Sequence, residues 1–205
     1  MGIKERQERD REAVRRSILD AARELFVTEG YQNVSIRKIA ERIEYSPASI
    51  YSYFPSKDDI FFALAEEGFR LMAAGMRAAA TEHPEDAIGR LRACGLAYIA
   101  FARAHPEHFR VMFGPYVANR ARYPGLRDAA SESFGLLEAR IADGQKAGFI
   151  AEADIRALAI ATWSTTHGFA SLLVNGQMDE RGGGTDPAEL ASRVTAVLFF
   201  GIGKR

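Results

Sequence analysis

The stretch from Ser35 to Tyr53, S-I-R-K-I-A-E-R-I-E-Y-S-P-A-S-I-Y-S-Y, constrains the fold of this chain more than any other segment. In its first half, apolar residues recur at spacings of three and four, which predicts one buried face of a short helix. These residues are Ile36, Ile39, Ala40 and Ile43. Ser35 stands directly before them, so its hydroxyl is expected to cap the first turn of that helix.

The second half of the stretch predicts another short helix. Ser46 is its expected N-cap, and Pro47 suits the first helical position, where the missing N–H costs nothing. Ile50 and Phe54 are expected to point inward. The outer surface then carries Ala48, Ser49, Tyr51, Ser52 and Tyr53. Two short helices joined by a tight turn form a helix-turn-helix, whose second helix projects side chains into the major groove of DNA.

An ordinary helical hairpin would fit the same apolar pattern. Two features favour DNA binding instead. The outer face of the second helix is small and hydroxylated, which suits close approach to phosphates. The stretch also continues into F-P-S-K-D-D-I, a turn followed by a new helix start with Lys57 in its first turn.

The segment from Val14 to Leu64 resembles the DNA-binding domain of the tetracycline-repressor (TetR) family of one-component transcription regulators. The resemblance rests on the order and spacing of A-A-R-E-L-F-V-T-E-G-Y (Ala21 to Tyr31), S-I-R-K-I-A (Ser35 to Ala40), S-P-A-S-I-Y-S-Y-F (Ser46 to Phe54) and S-K-D-D-I (Ser56 to Ile60). The chain departs from the family pattern at Glu44, a turn position that is often glycine. Glycine takes a left-handed conformation without strain, and we expect Glu44 to take it at modest cost.

Net charge by itself does not indicate a nucleic-acid partner. The chain has 27 Lys and Arg against 27 Asp and Glu, and residues 1–60 carry 11 of each sign. A DNA-binding surface must therefore be a local cluster of cations, with the acidic side chains facing away from it. The cations expected there are Arg15, Arg16, Arg37, Lys38 and Lys57.

The N-terminus is charged and has no apolar segment behind it, so we expect no signal peptide and a cytoplasmic protein. The single cysteine, Cys94, rules out an internal disulfide framework. The most apolar stretch, Ile155 to Val174, contains Arg156 and His167. It is therefore predicted to be a buried helix and not a membrane span, and we expect no membrane association.

No strand-like alternation bounded by turn signals is present, which predicts an all-α fold of about nine helices. We divide it into a three-helix DNA-binding domain, residues 1–55, and a larger helical ligand-binding and dimerisation domain, residues 56–205. The first helix is expected over Asp10 to Thr28, after a charged arm. No phosphate-binding glycine loop and no HExxH or CxxC spacing occurs, so we expect no cofactor and no metal site.

A homodimer is expected because one short recognition helix reads too few base pairs, whereas two-fold partners read two half-sites about one DNA turn apart. The resemblance implies that the last two helices of each subunit pack into a four-helix bundle. Small and apolar residues expected to allow close packing there are Ala159, Ala170, Ala196, Val197 and Phe200.

The resemblance also implies a pocket for a small-molecule effector in the C-terminal domain. Its candidate lining is Met72, Tyr98, Phe101, Phe109, Met112, Phe113, Tyr116, Trp163 and His167, although core packing is the simpler explanation for each aromatic and methionine taken singly. The W-S-T-T-H-G stretch from Trp163 looks like a motif of one branch of the family. Trp163 and His167 lie four apart, hence on one helix face, and a buried His167 needs a hydrogen-bond partner from protein or ligand.

The leading interpretation is a ligand-responsive repressor that binds a palindromic double-stranded DNA operator and releases it when the effector binds. The residues expected to contact DNA are Ser35, Arg37, Ser46, Pro47, Ala48, Ser49, Tyr51, Tyr53 and Lys57. Arg37, Ala48, Ser49 and Tyr51 are expected to reach base edges, Ala48 through a thymine methyl. Ser35, Ser46, Tyr53 and Lys57 are expected to hold phosphates.

Two alternatives belong to other classes. An enzyme would use His167 with Ser164 or Thr165, but no G-x-S-x-G elbow or matching acid accompanies them. A module that only captures a ligand or a protein would fit the neutral charge and Glu44. Turnover without DNA binding favours the first alternative, and retained operator binding excludes the second.

Overall fold

The computed structural model of the chain describes residues 2–82, 86–114, 122–178 and 184–200. Within these ranges there are nine α-helices, a 3-10 turn at Tyr31–Asn33 and a further residue, Arg122, in 3-10 conformation, and no residue lies in a β-strand. The helices are α1 Ile3–Thr28, α2 Ile36–Arg42, α3 Pro47–Tyr51, α4 Lys57–Thr81, α5 Ala87–Ala104, α6 Pro106–Phe113, α7 Pro124–Lys146, α8 Ile155–Val174 and α9 Pro187–Phe200. The all-α prediction is confirmed.

The chain divides into two compact units. The head unit comprises residues Met1–Gly68 and Glu107–Arg127, and the body unit comprises Phe69–Pro106 and Asp128–Arg205. The chain passes from the first unit to the second within α4. The head unit therefore includes most of α6 as well as the helix-turn-helix, and the functional division at residue 56 stays a proposal.

The core of the head unit is built from one or two fully buried aliphatic side chains per helix: Ile18, Ile39, Ile50, Ile60 and Leu64. Burying one such side chain contributes about 1.5–3 kcal/mol. Phe26, Tyr31 and Phe61 extend this core, with ring centroids 5.1–5.5 Å apart. This cluster fixes the connection between α1 and α2, and with it the base on which the helix-turn-helix is held.

Helix α1 begins at Ile3, seven residues before the Asp10 start predicted from the sequence. The first residues are not a free arm, because oppositely charged residues four apart support a helix there. These pairs in the sequence are Lys4 with Glu8, Glu5 with Arg9, and Arg6 with Asp10. At its other end, α1 closes as predicted, with Gly30 at a φ of +80° directly after the C-cap residue Glu29.

The core of the body unit lies between α5, α7 and α8. Leu91, Leu137, Ile141 and Ala159 form its buried cluster, and Phe134 and Trp163 pack against it. Polar contacts tie the remaining helices to this core. Ser133 Oγ on α7 donates to the Phe69 carbonyl oxygen at 3.2 Å, and Arg92 Nη2 on α5 donates to Ser192 Oγ on α9 at 2.6 Å.

Helix α8 differs from the sequence-based expectation, because it is not a buried helix within its own chain. Among the described residues it is the one helix with the length and composition to cross a membrane (mean hydropathy 1.2), yet only 22 % of its most apolar window is buried. Ala159 and Ala170, expected at a dimer interface, are instead fully buried in the chain's own core. Periodicity cannot distinguish these faces, since α8 is apolar almost all round.

Candidate DNA-binding site

The helix-turn-helix is held by the two caps that the sequence predicts. Ser35 Oγ accepts from the Lys38 backbone N–H at 3.2 Å, and Ser46 Oγ accepts from the Ser49 N–H at 3.1 Å. Pro47 occupies the first position of α3, and Ile50 anchors that helix in the core. Each cap satisfies a backbone donor that the helix itself leaves open. The short α3 therefore has a fixed start and a fixed buried side.

The turn between α2 and α3 contains the strained residue expected from the sequence. Glu44 has a φ of +59° and is the only described non-glycine residue with positive φ. The turn is closed by the Tyr45 N–H, which donates to the Ala40 carbonyl oxygen at 2.9 Å. A side chain in this left-handed region crowds the following carbonyl, at a cost of roughly 1–2 kcal/mol.

We expect Glu44→Gly to raise the free energy of unfolding by about 1 kcal/mol, because glycine removes that crowding. The gain is smaller than the full cost of the crowding, since glycine also increases the conformational entropy of the unfolded chain. Urea denaturation of the full-length protein measures the change. The matched control is Glu44→Ala, which removes the charge and keeps the Cβ. Equal stability of the glycine and alanine variants would contradict the assignment to backbone strain.

The predicted DNA-contact residues lie on one segment, from the start of α2 to the start of α4. Exposed members of the set are Ser35, Arg37, Ser46, Pro47, Ala48 and Tyr51. The remaining members, half-buried, are Ser49, Tyr53 and Lys57. Of the two tyrosines in the set, Tyr51 is the more exposed, at 55 %. Their contacts with DNA stay predictions, since the structure contains the protein alone.

Lys57 has a structural role that sequence reasoning missed. Its ammonium donates to the carbonyl oxygens of Tyr31 and Val34, both at 2.8 Å, and lies 4.0 Å from the centre of the Tyr31 ring. Burial lowers its pKa, and the nearby Asp58 carboxylate raises it in part. An ammonium has three N–H donors. A phosphate contact by Lys57 would therefore be additional to its role in holding the α1–α2 connection.

Exposed ion pairs explain how a chain with no net charge can still offer cations to DNA phosphates. Arg37 Nε donates to Glu41 Oε1 at 2.8 Å, and Lys38 pairs with Glu29. Pairs this exposed contribute at most about 1 kcal/mol, so a DNA phosphate can compete for the cation. Arg16, in contrast, does not belong to the expected surface cluster, because it is directed at acidic partners inside the head unit.

These partners form an ionic network that connects three helices of the head unit. Arg16 Nη1 on α1 lies 2.6 Å from Glu67 Oε2 on α4, and Glu67 Oε1 lies 2.9 Å from His108 Nε2 on α6. His108 is only 3 % exposed. Burial alone would raise the pKa of Glu67, but hydrogen bonds and charge from Arg16 and His108 outweigh it and lower that pKa. The network fixes α6 to the DNA-binding helices, and no local sequence pattern marks it.

The structure separates the predicted effector-pocket residues between the two units. Met72, Tyr98, Phe101, Trp163 and His167 belong to the body unit. Phe109, Met112 and Phe113 lie on α6 in the head unit. Tyr116 lies outside the described residues. The pocket as predicted from sequence is thus not one contiguous cluster of either unit, and its lining stays a prediction.

Three of these residues form a polar cluster between α5 and α8. Tyr98 Oη lies 2.7 Å from His167 Nδ1, and Trp163 Nε1 donates to Tyr98 Oη at 3.4 Å. The partner that His167 requires is therefore protein. Burial raises the pKa of Tyr98, an effect that the Trp163 hydrogen bond partly offsets, and burial lowers the pKa of His167. The cluster is thus polar and uncharged at neutral pH.

A cleft of about 510 Å³ opens elsewhere in the body unit, at the C-terminal end of α4 and along α5. Small and apolar residues dominate its lining, which comprises Ala79, Glu82, Asp86, Gly89, Arg92, Ala93, Leu96, Ala97 and Ala100. None of the residues predicted for the effector pocket is among them. No sequence pattern marks this cleft as functional, because a run of alanines in a helix is ordinary.

Two family models match the chain. One is described as "Tetracyclin repressor-like, C-terminal domain" and matches residues 91–198, which are 108 of the 205 residues. The other is described as "Bacterial regulatory proteins, tetR family" and matches residues 18–64. The second match contains the helix-turn-helix whose caps and turn are described above.

Curated relatives match over shorter segments. The chain is 44 % identical over 62 residues to the HTH-type transcriptional repressor Rv1474c of Mycobacterium tuberculosis, covering 30 % of this chain and 33 % of the relative. It is 30 % identical over 103 residues to the HTH-type transcriptional activator FasR of Mycolicibacterium smegmatis, covering 50 % of this chain and 47 % of the relative. The chain thus spans between a third and a half of the length of these relatives.

The fold as a whole is that of solved regulators. It is similar to the crystal structure of the TetR family transcriptional regulator PfmR from Thermus thermophilus, with a TM-score of 0.73 and 21 % identity. That similarity covers 91 % of this chain and 99 % of the solved chain. With more than half of its residues matched by the C-terminal family model, the chain belongs to the TetR family of bacterial regulatory proteins.

Proposed function

We propose that this protein is a homodimeric transcriptional repressor that binds a palindromic operator and releases it when a small molecule binds the body unit. The observation that carries the proposal is α3, a short helix with a capped start, a buried anchor at Ile50 and an exposed outer side. That geometry allows α3 to enter the major groove while α2 crosses the backbone.

In this proposal, Arg37, Ala48, Ser49 and Tyr51 reach base edges. Phosphates are held by the side chains of Ser35, Ser46, Tyr53 and Lys57. The cap serines have two hydrogen-bonding roles in this proposal, one toward the helix backbone and one toward DNA. The hydroxyl of Ser35 accepts a backbone N–H and retains its own O–H to donate to a phosphate oxygen. The hydroxyl of Ser46 accepts a backbone N–H as well and lies 2.9 Å from Ser49 Oγ, so these two hydroxyls share one hydrogen bond and leave one O–H between them for a phosphate. The operator affinity then depends on the same hydroxyls that start the two helices.

The exposed side of α8 supports dimerisation. Its exposed residues recur at three- and four-residue spacing along the whole helix: Arg156, Ala157, Ile160, Ala161, Ser164, Thr165, Gly168 and Leu172. Arg156 is the one charged residue among them, lies at the start of the helix and pairs with Glu138 on α7. Val197 on α9 is exposed as well. An apolar helix face with small side chains allows a second helix to approach closely. We assign this face to the homodimer interface formed by the last two helices.

The effector response is proposed for the body unit, near the uncharged cluster of Tyr98, Trp163 and His167. An effector that takes over a hydrogen bond of this cluster would favour one conformer of the body unit. Because α4 belongs to both units, a change in that helix would alter the spacing of the two recognition helices. Ligand binding then shifts the population away from the operator-bound form.

Family membership and relatives support transcription regulation as the class of function. Repression, as opposed to activation, is our proposal. Members of this family are transcription regulators and not enzymes, and we propose that this chain likewise acts in the cytoplasm without catalysing a reaction. Rv1474c is a repressor and FasR an activator. We favour repression, because Rv1474c matches at the higher identity, 44 % against 30 %.

The test is fluorescence anisotropy of the full-length protein on duplexes from upstream of its own gene, with scrambled duplexes as the control, at low and moderate salt. We expect binding that prefers the native duplex and weakens with salt. If no upstream duplex is preferred, selection from random DNA replaces it. Failure of that selection as well would overturn the regulator proposal in favour of ligand capture.

A further inference from the structure

We infer that the first turns of α1 form a second DNA-contacting surface, which holds the phosphate backbone beside the recognition helix. This inference rests on the proposed function, because it assigns additional contacts to the same DNA. We define the α1 extension as residues 3–13, the part of α1 that precedes its first buried residue, Ile18, by more than one turn.

From residue 4 onward, the α1 extension buries no side chain in the protein core. All side chains from residue 4 to residue 13 are exposed. At 1.5 Å per residue, its eleven residues project the helix by about 16 Å. Nine of them are charged or amide side chains, the exceptions being Ile3 and Ala13. A helix of this composition contributes nothing to the head unit's core, so its function lies in what its surface meets.

Contacts at the base of the extension place it beside the end of α3. Arg11 Nη2 donates to the Ser52 carbonyl oxygen at 3.5 Å, and the Arg11 guanidinium lies 5.4 Å from the centre of the Tyr53 ring. One turn further, the Arg15 guanidinium lies 5.2 Å from the centre of the Phe54 ring. The extension therefore starts next to Tyr53, a residue predicted to contact a phosphate.

The helical register gives the side beside α3 a positive charge. At 100° per residue, positions 4, 8, 11 and 15 fall within about 60° of one another. They are Lys4, Glu8, Arg11 and Arg15, three cations and one anion. Arg15 also lies 3.6 Å from Glu12, a loose and exposed pair of the kind that contributes little. Glu5 and Asp10 lie on other sides of the helix. With Glu12 included, this side has three cations and two anions, so the neutral balance of residues 1–60 conceals a local excess of one positive charge.

Lys4 and Arg11 are the side chains that would reach phosphates from this surface. They lie seven residues apart on the same face, about 10 Å along the helix, which allows contacts to different phosphates. Such contacts carry no sequence information and act through release of counterions. The surface therefore raises affinity for any DNA and leaves the choice of sequence to α3.

The experiment measures salt-dependent affinity of the full-length protein for its selected operator and for scrambled DNA. Each substitution is present in both subunits of the proposed homodimer. For the double variant Lys4→Gln/Arg11→Gln, which loses four phosphate contacts per dimer, we expect the slope of log K against log salt to become shallower by about 3.6, and for Lys4→Gln alone by about 1.8. Affinity should fall by the same factor on both DNAs, so that their ratio stays within about twofold. Lys4 lies two helical turns from the Arg11 contacts with α3, so its effect separates phosphate binding from positioning of Tyr53.

The matched control is Arg6→Gln/Arg9→Gln, which removes the same charge from other sides of the α1 extension and should leave the slope unchanged. Circular dichroism verifies that every variant keeps its helices. An equal loss in the control, or an unchanged slope in the double variant, overturns the inference while the regulator proposal stands. Wild-type protein that binds no DNA overturns both.

Discussion

Replacing Ile160 with glutamate is expected to convert the dimer to monomers and to lower operator affinity by about 100-fold or more. Ile160 is 48 % exposed in the isolated chain and lies in the middle of the exposed side of α8. In a two-fold interface the substitution places two carboxylates against an apolar partner surface, where an unpaired charge is strongly unfavourable. A monomer then loses the second half-site, and with it the gain of about 100-fold or more that linked binding provides.

Sedimentation equilibrium measures the oligomeric state, and anisotropy on the selected operator measures the affinity. The matched control is Phe149→Glu, which introduces the same charge at a more exposed apolar residue, 67 %, outside α8 and α9. The control should remain dimeric and bind normally. An Ile160→Glu protein that stays dimeric would show that α8 is not the interface, and a monomeric variant with undiminished affinity would show that operator binding needs one subunit only.

The local features of the site could be predicted from sequence because their causes are local. A serine before a run of apolar residues with 3–4 spacing, as at Ser35 and Ser46, has few other ways to satisfy the open backbone donors behind it. The left-handed Glu44 is expected on a different ground, the family resemblance, since the matching turn position is often glycine. The geometry of these elements depends on neighbours within about five positions.

Features that depend on which helices meet could not be predicted. Glu67 is 51 residues from Arg16 and 41 from His108, and no spacing rule links residues so far apart. The same holds for α8. Because that helix is apolar on most sides, sequence pattern alone cannot distinguish Ala159, which is fully buried, from Ile160, which is exposed next to it. Which of these two residues is buried depends on where α5 and α7 pack against α8.

Gly68→Ala is expected to lower the free energy of unfolding by about 1–2 kcal/mol, although alanine favours helix formation. A Cβ at Gly68 on α4 would lie 2.4 Å from Met112 Sδ and 2.9 Å from Met112 Cγ on α6. Met112 is fully buried, so it has little room to adopt another rotamer. Forcing a methyl group into filled packing costs about 1–3 kcal/mol, and two contacts below 3.0 Å place this site in the upper part of that range, at about 2–3 kcal/mol. This cost exceeds the gain in helix propensity of about 1 kcal/mol.

Gly75→Ala is the matched control for that prediction, because it lies on the same helix and a Cβ there meets nothing within 4 Å. Its expected effect is a gain in stability of about 1 kcal/mol, so the two substitutions should differ by about 2–3 kcal/mol in urea denaturation. The contrast tests whether α6 packs against α4 at Gly68. That residue follows Glu67, which is the centre of the ionic network. If both variants are stabilised alike, α6 does not approach α4 at Gly68 in solution. A double-mutant cycle tests the steric cause. If Gly68→Ala no longer lowers the free energy of unfolding in a Met112→Ala background, the two positions are coupled and the contact with Met112 is the cause.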